Sequence, residues 1–324
     1  MKLALIVGIN YYAHVGGLYG CVNDAYEVKS VLERNGDGTV NFECNLITAS
    51  NAYESVTKAR LKDEIRDLFT RKAEVVLFYF AGHGHIESTG GYLVASDAQR
   101  GDEGVSISEI MTYAINSPAA NKVIILDSCH AGIAGDSALM LDTAVLKEGM
   151  TILTASDKDQ YASEENSSGV FTTLLVDALS GGAANLVGEI TPGSVYAHID
   201  QSLGGWKQRP LFKTNVRNFI SLRKVTPAIA LEDLRLIYKY FPTPGFEFKL
   251  DPTFEPEING RGLGTPDPID ANTHVFSKLQ KFNRLNLLVP VGAPHMWHAA
   301  MASKTCKLTA LGEHYRRLVE SGRI

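Results

Sequence analysis

Lys122-Val-Ile-Ile-Leu-Asp-Ser-Cys-His-Ala-Gly132 joins an apolar, β-branched run to a polar segment that begins at Asp127. Strands covered on both faces read as continuous apolar runs, whereas a strand with one wet face alternates. The run therefore predicts a parallel strand inside a sheet, with a thiol, Cys129, delivered at the strand's end. A second run of the same character, Glu74-Val-Val-Leu-Phe-Tyr-Phe80, leads into Ala81-Gly-His-Gly-His85. A candidate nucleophile and a candidate base, His83, thus leave the same edge of one sheet, where open α/β sheets gather their ligands.

The pattern extends outward from these two strands. Residues 3–9, 45–48, 75–80, 123–126 and 151–155 read as strands, and 24–34, 56–70, 108–115 and 170–179 as helices. This alternation predicts the α/β class, with parallel strands joined by crossover helices. Residues 90–94 read as a short hairpin arm. Residues 208–222 read as the last strand, at an edge, because Pro210 has no N–H to give a central ladder.

The composition, 45% hydrophobic and 21% charged over 324 residues, is that of an ordinary folded protein with one large and one smaller domain. A net charge of −5 supplies no global attraction for nucleic acid or an anionic membrane, and is slightly better suited to a cationic substrate. The first apolar run is too short to span a membrane and reads as a core strand. Cys21, Cys44, Cys129 and Cys306 are spaced too irregularly for a disulfide framework, which favours a reducing cytoplasm.

A free thiol is a poor nucleophile at neutral pH, its pKa being roughly 8.5, and a neighbouring imidazole raises the thiolate fraction. His83 is placed for that role. The N–H groups of Gly84 and Cys129 are candidates for an oxyanion hole, and these parts together describe acyl transfer. The plainer alternatives are a buried core thiol, a structural histidine, or a zinc site from His83, His85, Cys129 and His130; the usual zinc spacings are absent. Asp127 stands two residues before the cysteine and Asp24 just after the first strand. Two carboxylates in one partly buried pocket repel each other unless a cation neutralises them, as a substrate arginine or lysine would. Asp24 also suits an N-cap or first-turn position of a helix.

At these residues the chain resembles the caspase-like cysteine peptidases, and among them the metacaspase and bacterial caspase-like branch. The resemblance is carried by residues 3–10, Gly20-Cys-Val-Asn-Asp-Ala25, Phe78-Tyr-Phe-Ala-Gly-His-Gly84, residues 123–132, Leu153-Thr-Ala-Ser-Asp157, Gly169-Val-Phe-Thr172 and Gln208-Arg-Pro210. The histidine and cysteine motifs occur in order and 46 residues apart. The resemblance implies a caspase/hemoglobinase fold, a mostly parallel six-stranded sheet flanked by helices. It implies His83 as general base and acid, Cys129 as nucleophile, and an acidic primary pocket of Asp24 and Asp127 bordered by Cys21. Cleavage after arginine or lysine is then expected, and not after aspartate. No cofactor is required by the sequence. Calcium enters as a candidate through relatives that need it, with Asp97, Asp102, Glu103 and Asp136 as oxygen donors, although their spacing forms no recognisable calcium loop. Lys147 and Lys158 are candidate self-cleavage sites.

Past about Thr226 the pattern changes to a helix at 231–240, a Pro/Gly-rich acidic stretch, a helix at 275–287, a hairpin from 288–292 through 296–299, and a last helix that Thr309 would cap. The expected division is a peptidase domain at 1–224 and a small α+β winged-helix-like domain at 225–324. Its acids and bases interleave without a basic stripe, so docking of a regulator or substrate is favoured over nucleic acid. The chain reads as a regulated Arg/Lys-specific cysteine endopeptidase, for which bacterial defence is a fitting setting. The rival reading is a non-catalytic regulatory or DNA-binding protein on the same scaffold.

Overall fold

The structure is a computed structural model that describes residues 1–88, 90–100, 103–128, 136–137, 140–144, 146–155, 164–165, 168–203 and 209–324. The chain forms two compact units, Met1–Ala228 and Ile229–Ile324.

The first unit is built on six strands: β1 (Lys2–Ile9), β2 (Phe42–Ala49), β3 (Val75–Ala81), β4 (Asn121–Asp127), β5 (Met150–Thr154) and β6 (Leu211–Asn215). They are ordered β6-β5-β4-β3-β1-β2. Every neighbouring pair is parallel except β5 and β6, which run antiparallel. The helices are α1 (Cys21–Glu33), α2 (Lys58–Thr70), α3 (Ile107–Asn116), α4 (Val170–Asp177) and α5 (Pro192–Ser202). Successive side chains of a strand point to opposite faces. Phe78, Phe80, Ile124 and Leu126 therefore pack with Leu61 and Ile65 of α2 and Ile110 of α3. Leu77, Tyr79 and Ile125 pack with Val28 of α1, Leu175 of α4 and Ile199 of α5. Each aliphatic side chain fully buried in this way contributes about 1.5–3 kcal/mol. Gly8 lets α1 lie directly on β1, since a Cβ there would stand 2.4 Å from the Cys21 carbonyl oxygen and 2.7 Å from the Ala25 Cβ.

The mostly parallel, doubly covered sheet agrees with the expected class, and the departures are at its margins. Strand β2 begins at Phe42 rather than 45, because polar residues such as the exposed Glu43 are tolerated at a sheet edge and blur the apolar signal. Strand β6 ends at Asn215 rather than 222. Helix α5 was not anticipated: Thr191 and Ser194 cap it reciprocally with Pro192 in the first turn, a box closed by serine in place of the usual Glu or Gln.

The second unit contains α6 (Leu231–Tyr240), β7 (Glu247–Lys249), α7 (Asp270–Arg284), β8 (Leu288–Val291), α8 (Met296–Met301), β9 (Thr305–Leu308) and α9 (Ala310–Glu320). Its antiparallel sheet is ordered β7-β9-β8. The expected hairpin needs correcting, because 296–299 is helical and β8 pairs with β9, from Leu288↔Leu308 to Val291↔Thr305. The reason is spacing: Met296, Ala299 and Ala300 bury one helical face at i, i+3 and i+4. Thr309 caps α9, its hydroxyl accepting from the Gly312 N–H at 3.1 Å.

Candidate active site

His83 lies just past the end of β3. The Gly82 N–H donates to the Asp127 carbonyl at 3.3 Å, which ties together the ends of β3 and β4. The His83 N–H donates to the Tyr12 hydroxyl oxygen at 2.8 Å, and the two rings lie 4.7 Å apart at a 48° tilt. Burial pushes the Tyr12 phenol well above its ordinary pKa, so it stays neutral. Gly82 is required by this closeness, for a Cβ would fall 2.7 Å from the Tyr12 hydroxyl.

The His83 ring is fixed at its other end too. Nε2 stands 2.8 Å from the Gly16 carbonyl oxygen. A carbonyl can only accept, so in the neutral ring Nε2 carries the proton and Nδ1 keeps the lone pair. The loop that holds Gly16 is anchored by Asn10. Its Nδ2 donates to the Tyr19 carbonyl at 3.0 Å, and its Oδ1 accepts from the Val22 N–H at 3.1 Å, at the start of α1. Gly84 opens the arm Gly84–Glu87, which pairs antiparallel with Gly90–Leu93.

The two acids converge from different elements. Asp24, in the first turn of α1, is 2% exposed, and Asp127, the last residue of β4, is 8% exposed. Both oxygens of Asp24 accept from the Gly169 N–H, at 3.3 and 3.1 Å, across 145 residues of sequence. Asp127 Oδ2 accepts from the Thr172 hydroxyl at 2.6 Å, and Thr172 Oγ1 is 2.6 Å from the Tyr79 hydroxyl. A Cβ on Gly169 would lie 2.7 Å from Asp127 Oδ2 and 3.3 Å from Asp24 Oδ2, so both carboxylates reach the same small volume. The first-turn placement of Asp24 is as expected, but its side chain does not cap α1, whose N-cap is Gly20.

Cys129 and His130 lie outside the described residues, and with them the geometry of the dyad, the oxyanion pairing of Gly84 with the Cys129 N–H, and the zinc alternative. Ser128, the residue after β4, is buried. Burial pushes the Cys44 and Cys306 thiols up to about 12, which makes both poor nucleophiles. Cys21 is buried at the start of α1.

Of the acids offered for calcium, the side chains of Asp97 and Glu103 lie among the described residues. Asp97 Oδ1 accepts from the Lys58 N–H at 2.8 Å and Glu103 Oε2 from the Gln99 N–H at 2.7 Å, both backbone contacts. Asp102 and the Asp136 side chain lie outside the described residues, as does Lys158. Among the described residues no group of three or more His, Cys, Asp or Glu side chains is arranged for a metal. Lys147 is exposed, with its Nζ donating to the Ile115 carbonyl at 3.1 Å. No described helix is long and apolar enough to cross a membrane.

Tyr12, Gly16, Tyr79 and Thr172 were not singled out by the sequence. A tyrosine inside the run 75–80 was the one available signal, since a buried phenol needs a hydrogen-bond partner.

Residues 1–220 match the family described as Peptidase_C14: Caspase domain. The chain is 28% identical over 207 residues to Metacaspase-1 of Botryotinia fuckeliana, covering 58% of this chain and 46% of that one. It is 27% identical over 167 residues to Metacaspase-1 of Ajellomyces capsulatus, covering 45% of each. The matches thus span less than half the length of these curated relatives. In fold it is similar to caspase-1 of Spodoptera frugiperda, with a TM-score of 0.51 and 14% identity over 69% of this chain and 90% of that one. It is also similar to protein GSU0716 of Geobacter sulfurreducens, with a TM-score of 0.50 and 17% identity over 70% of this chain and 97% of that one.

Proposed function

Since the chain belongs to the caspase-domain family of cysteine-type peptidases, we propose that it is an endopeptidase cutting after arginine or lysine through His83 and Cys129. The observation that carries the specificity is the convergence of Asp24 and Asp127 on Gly169. Two carboxylates this close favour a cation between them, and a basic substrate side chain supplies it.

In this reading His83 Nδ1 takes the proton from the Cys129 thiol, and the thiolate attacks the carbonyl carbon of the scissile bond. The N–H groups of Gly84 and Cys129 stabilise the oxyanion that forms. The Gly16 carbonyl steadies the imidazolium through Nε2. His83 then returns the proton to the departing amine, leaving an acyl-enzyme. Water, deprotonated by the same imidazole, attacks the thioester and releases the acid. Tyr12 fixes the backbone from which the ring projects.

For the second unit we propose protein docking. Two of its charged clusters pair internally: Arg316 Nε with Glu313 at 2.9 Å, and Asp233 with Lys278 at 2.7 Å.

The test compares wild type, Cys129→Ala and Asp127→Ala on short peptides ending in arginine, lysine or aspartate, with and without calcium. Wild type is expected to cut after arginine and lysine, Cys129→Ala to lose at least about 10⁴-fold, and Asp127→Ala to lose the basic preference. Undiminished turnover by Cys129→Ala removes the mechanism, and cleavage after aspartate in preference to arginine removes the specificity.

A further inference from the structure

We infer that Thr172 and Tyr79 form a buried positioning pair that aims the Asp127 carboxylate and so sets the strength of basic-residue selection; this rests on the Arg/Lys reading above. The order of donors follows from the partners. A carboxylate only accepts, so the single proton of the Thr172 hydroxyl is committed to Asp127 Oδ2. Thr172 Oγ1 must then accept from Tyr79, which makes Tyr79 Oη–H the donor at 2.6 Å. The result is a directed chain from Tyr79 through Thr172 to Asp127, each link at the short end of the range for hydroxyl hydrogen bonds.

Burial makes the chain rigid. Tyr79 and Thr172 are both fully buried, on β3 and α4, within the core layer between the sheet and α1, α4 and α5. Tyr79 lies between Phe78 and Phe80 in a strand that is otherwise apolar, and a phenylalanine at that position would serve packing alone. A threonine in the first turn of α4 is likewise a polar choice at a buried site. The phenol is pushed well above its ordinary value, first by burial and then by the nearby charges of Asp127 and Asp24, so it keeps its proton and remains a donor. Hydroxyl bonds that polarise one another in a dry site strengthen together. Gly169, one position before α4, holds Asp24 through its N–H, so the start of this one helix orients both acids.

Thr172→Val removes the donor while keeping the shape, and Thr172→Ser restores it. Tyr79→Phe removes one oxygen from a packed ring. The readout is KM and kcat for a peptide ending in arginine and for the same peptide ending in citrulline, a neutral isostere. Thr172→Val is expected to raise KM for the arginine peptide about tenfold or more, as the loss of one charge-assisted hydrogen bond does. Its kcat should change little, and its preference for arginine over citrulline should shrink in proportion. Thr172→Ser should recover wild-type selectivity, and Tyr79→Phe should show the same shift to a smaller degree. Thermal unfolding checks that each variant is folded. Should Thr172→Val unfold, Tyr79→Phe carries the test alone. Wild-type arginine selectivity in folded Thr172→Val, or in Tyr79→Phe where only that variant folds, overturns the inference. A wild-type enzyme that does not cut after arginine overturns the parent reading instead, so the two failures are distinct.

Discussion

Two charged clusters of the second unit contrast with the acidic pair of the first. In the second, Arg316 is 2% exposed and meets Glu313 and Glu320, three and four residues away on its own helix. Asp233 meets Lys278 and Lys281 of α7. In the first, Asp24 and Asp127 are held by a peptide N–H and a threonine hydroxyl drawn from a helix far along the chain. An ion pair within the fold contributes to structure, whereas the two acids of the first unit are, in the reading proposed above, the pocket for a basic substrate side chain. On that proposal the ion pairs of the second unit serve folding, and the acids of the first serve recognition.

That contrast can be broken by substitution. Arg316→Ala deletes a buried guanidinium from the partly exposed Glu313 and Glu320 and is expected to destabilise the second unit by about 2–3 kcal/mol in urea unfolding, more through lost packing than through lost charge. Peptide hydrolysis per folded molecule should be unchanged. Asp24→Asn is expected to do the reverse, lowering kcat/KM on arginine peptides about a hundredfold, or roughly 2.7 kcal/mol of transition-state binding, while the unfolding midpoint barely moves. If Asp24→Asn instead lowers the unfolding midpoint sharply and the folded fraction keeps its selectivity, the distinction between the units fails. Gly169→Ala sharpens the same point, because its Cβ would press to 2.7 Å from Asp127 Oδ2; KM for basic peptides should rise about tenfold.

The smallest effect is expected at Asp233. A hydrogen bond from Lys278, opposed by burial and aided by Lys281, holds its carboxyl below the ordinary value. A depressed carboxylate stabilises the fold above its unfolded pKa, near 3.9, and that contribution fades as pH falls through the folded value. Asp233→Asn should therefore cost about 1 kcal/mol at pH 7 and almost nothing at pH 2, measured by urea unfolding at both. An equal loss at the two pH values would show that the pair is not what Asp233 contributes.

What the sequence disclosed follows from burial. Strands β1, β3, β4 and β5 are covered on both faces, so their apolar runs stood out, and His83 was legible because glycines flank it at a strand end. Helix α8 was misread as a strand because six residues are too few for periodicity to separate the two. Thr172 and Tyr79 meet across 93 residues; a tyrosine in an apolar run announces that it needs a partner, but nothing local says which. The capture of Asp24 by Gly169 is equally non-local, and so is the grip of Gly16 on His83 across 67 residues. Composition can place an acid near a sheet edge, but only the folded chain selects the donor that holds it.

The long reach from Asp24 to Gly169 also imposes an order in time. A chain leaving the ribosome presents Asp24 early, then His83 and Cys129, yet the helix start that orients both acids emerges after all of them. Strand β5 gains its outer neighbour later still, when Leu211–Asn215 pairs along it. On the proposed function, a nascent chain is expected to stay inert until the whole first unit has been made. Ribosome-stalled chains of increasing length are expected to acquire cleavage of arginine peptides only once Asn215 has cleared the exit tunnel.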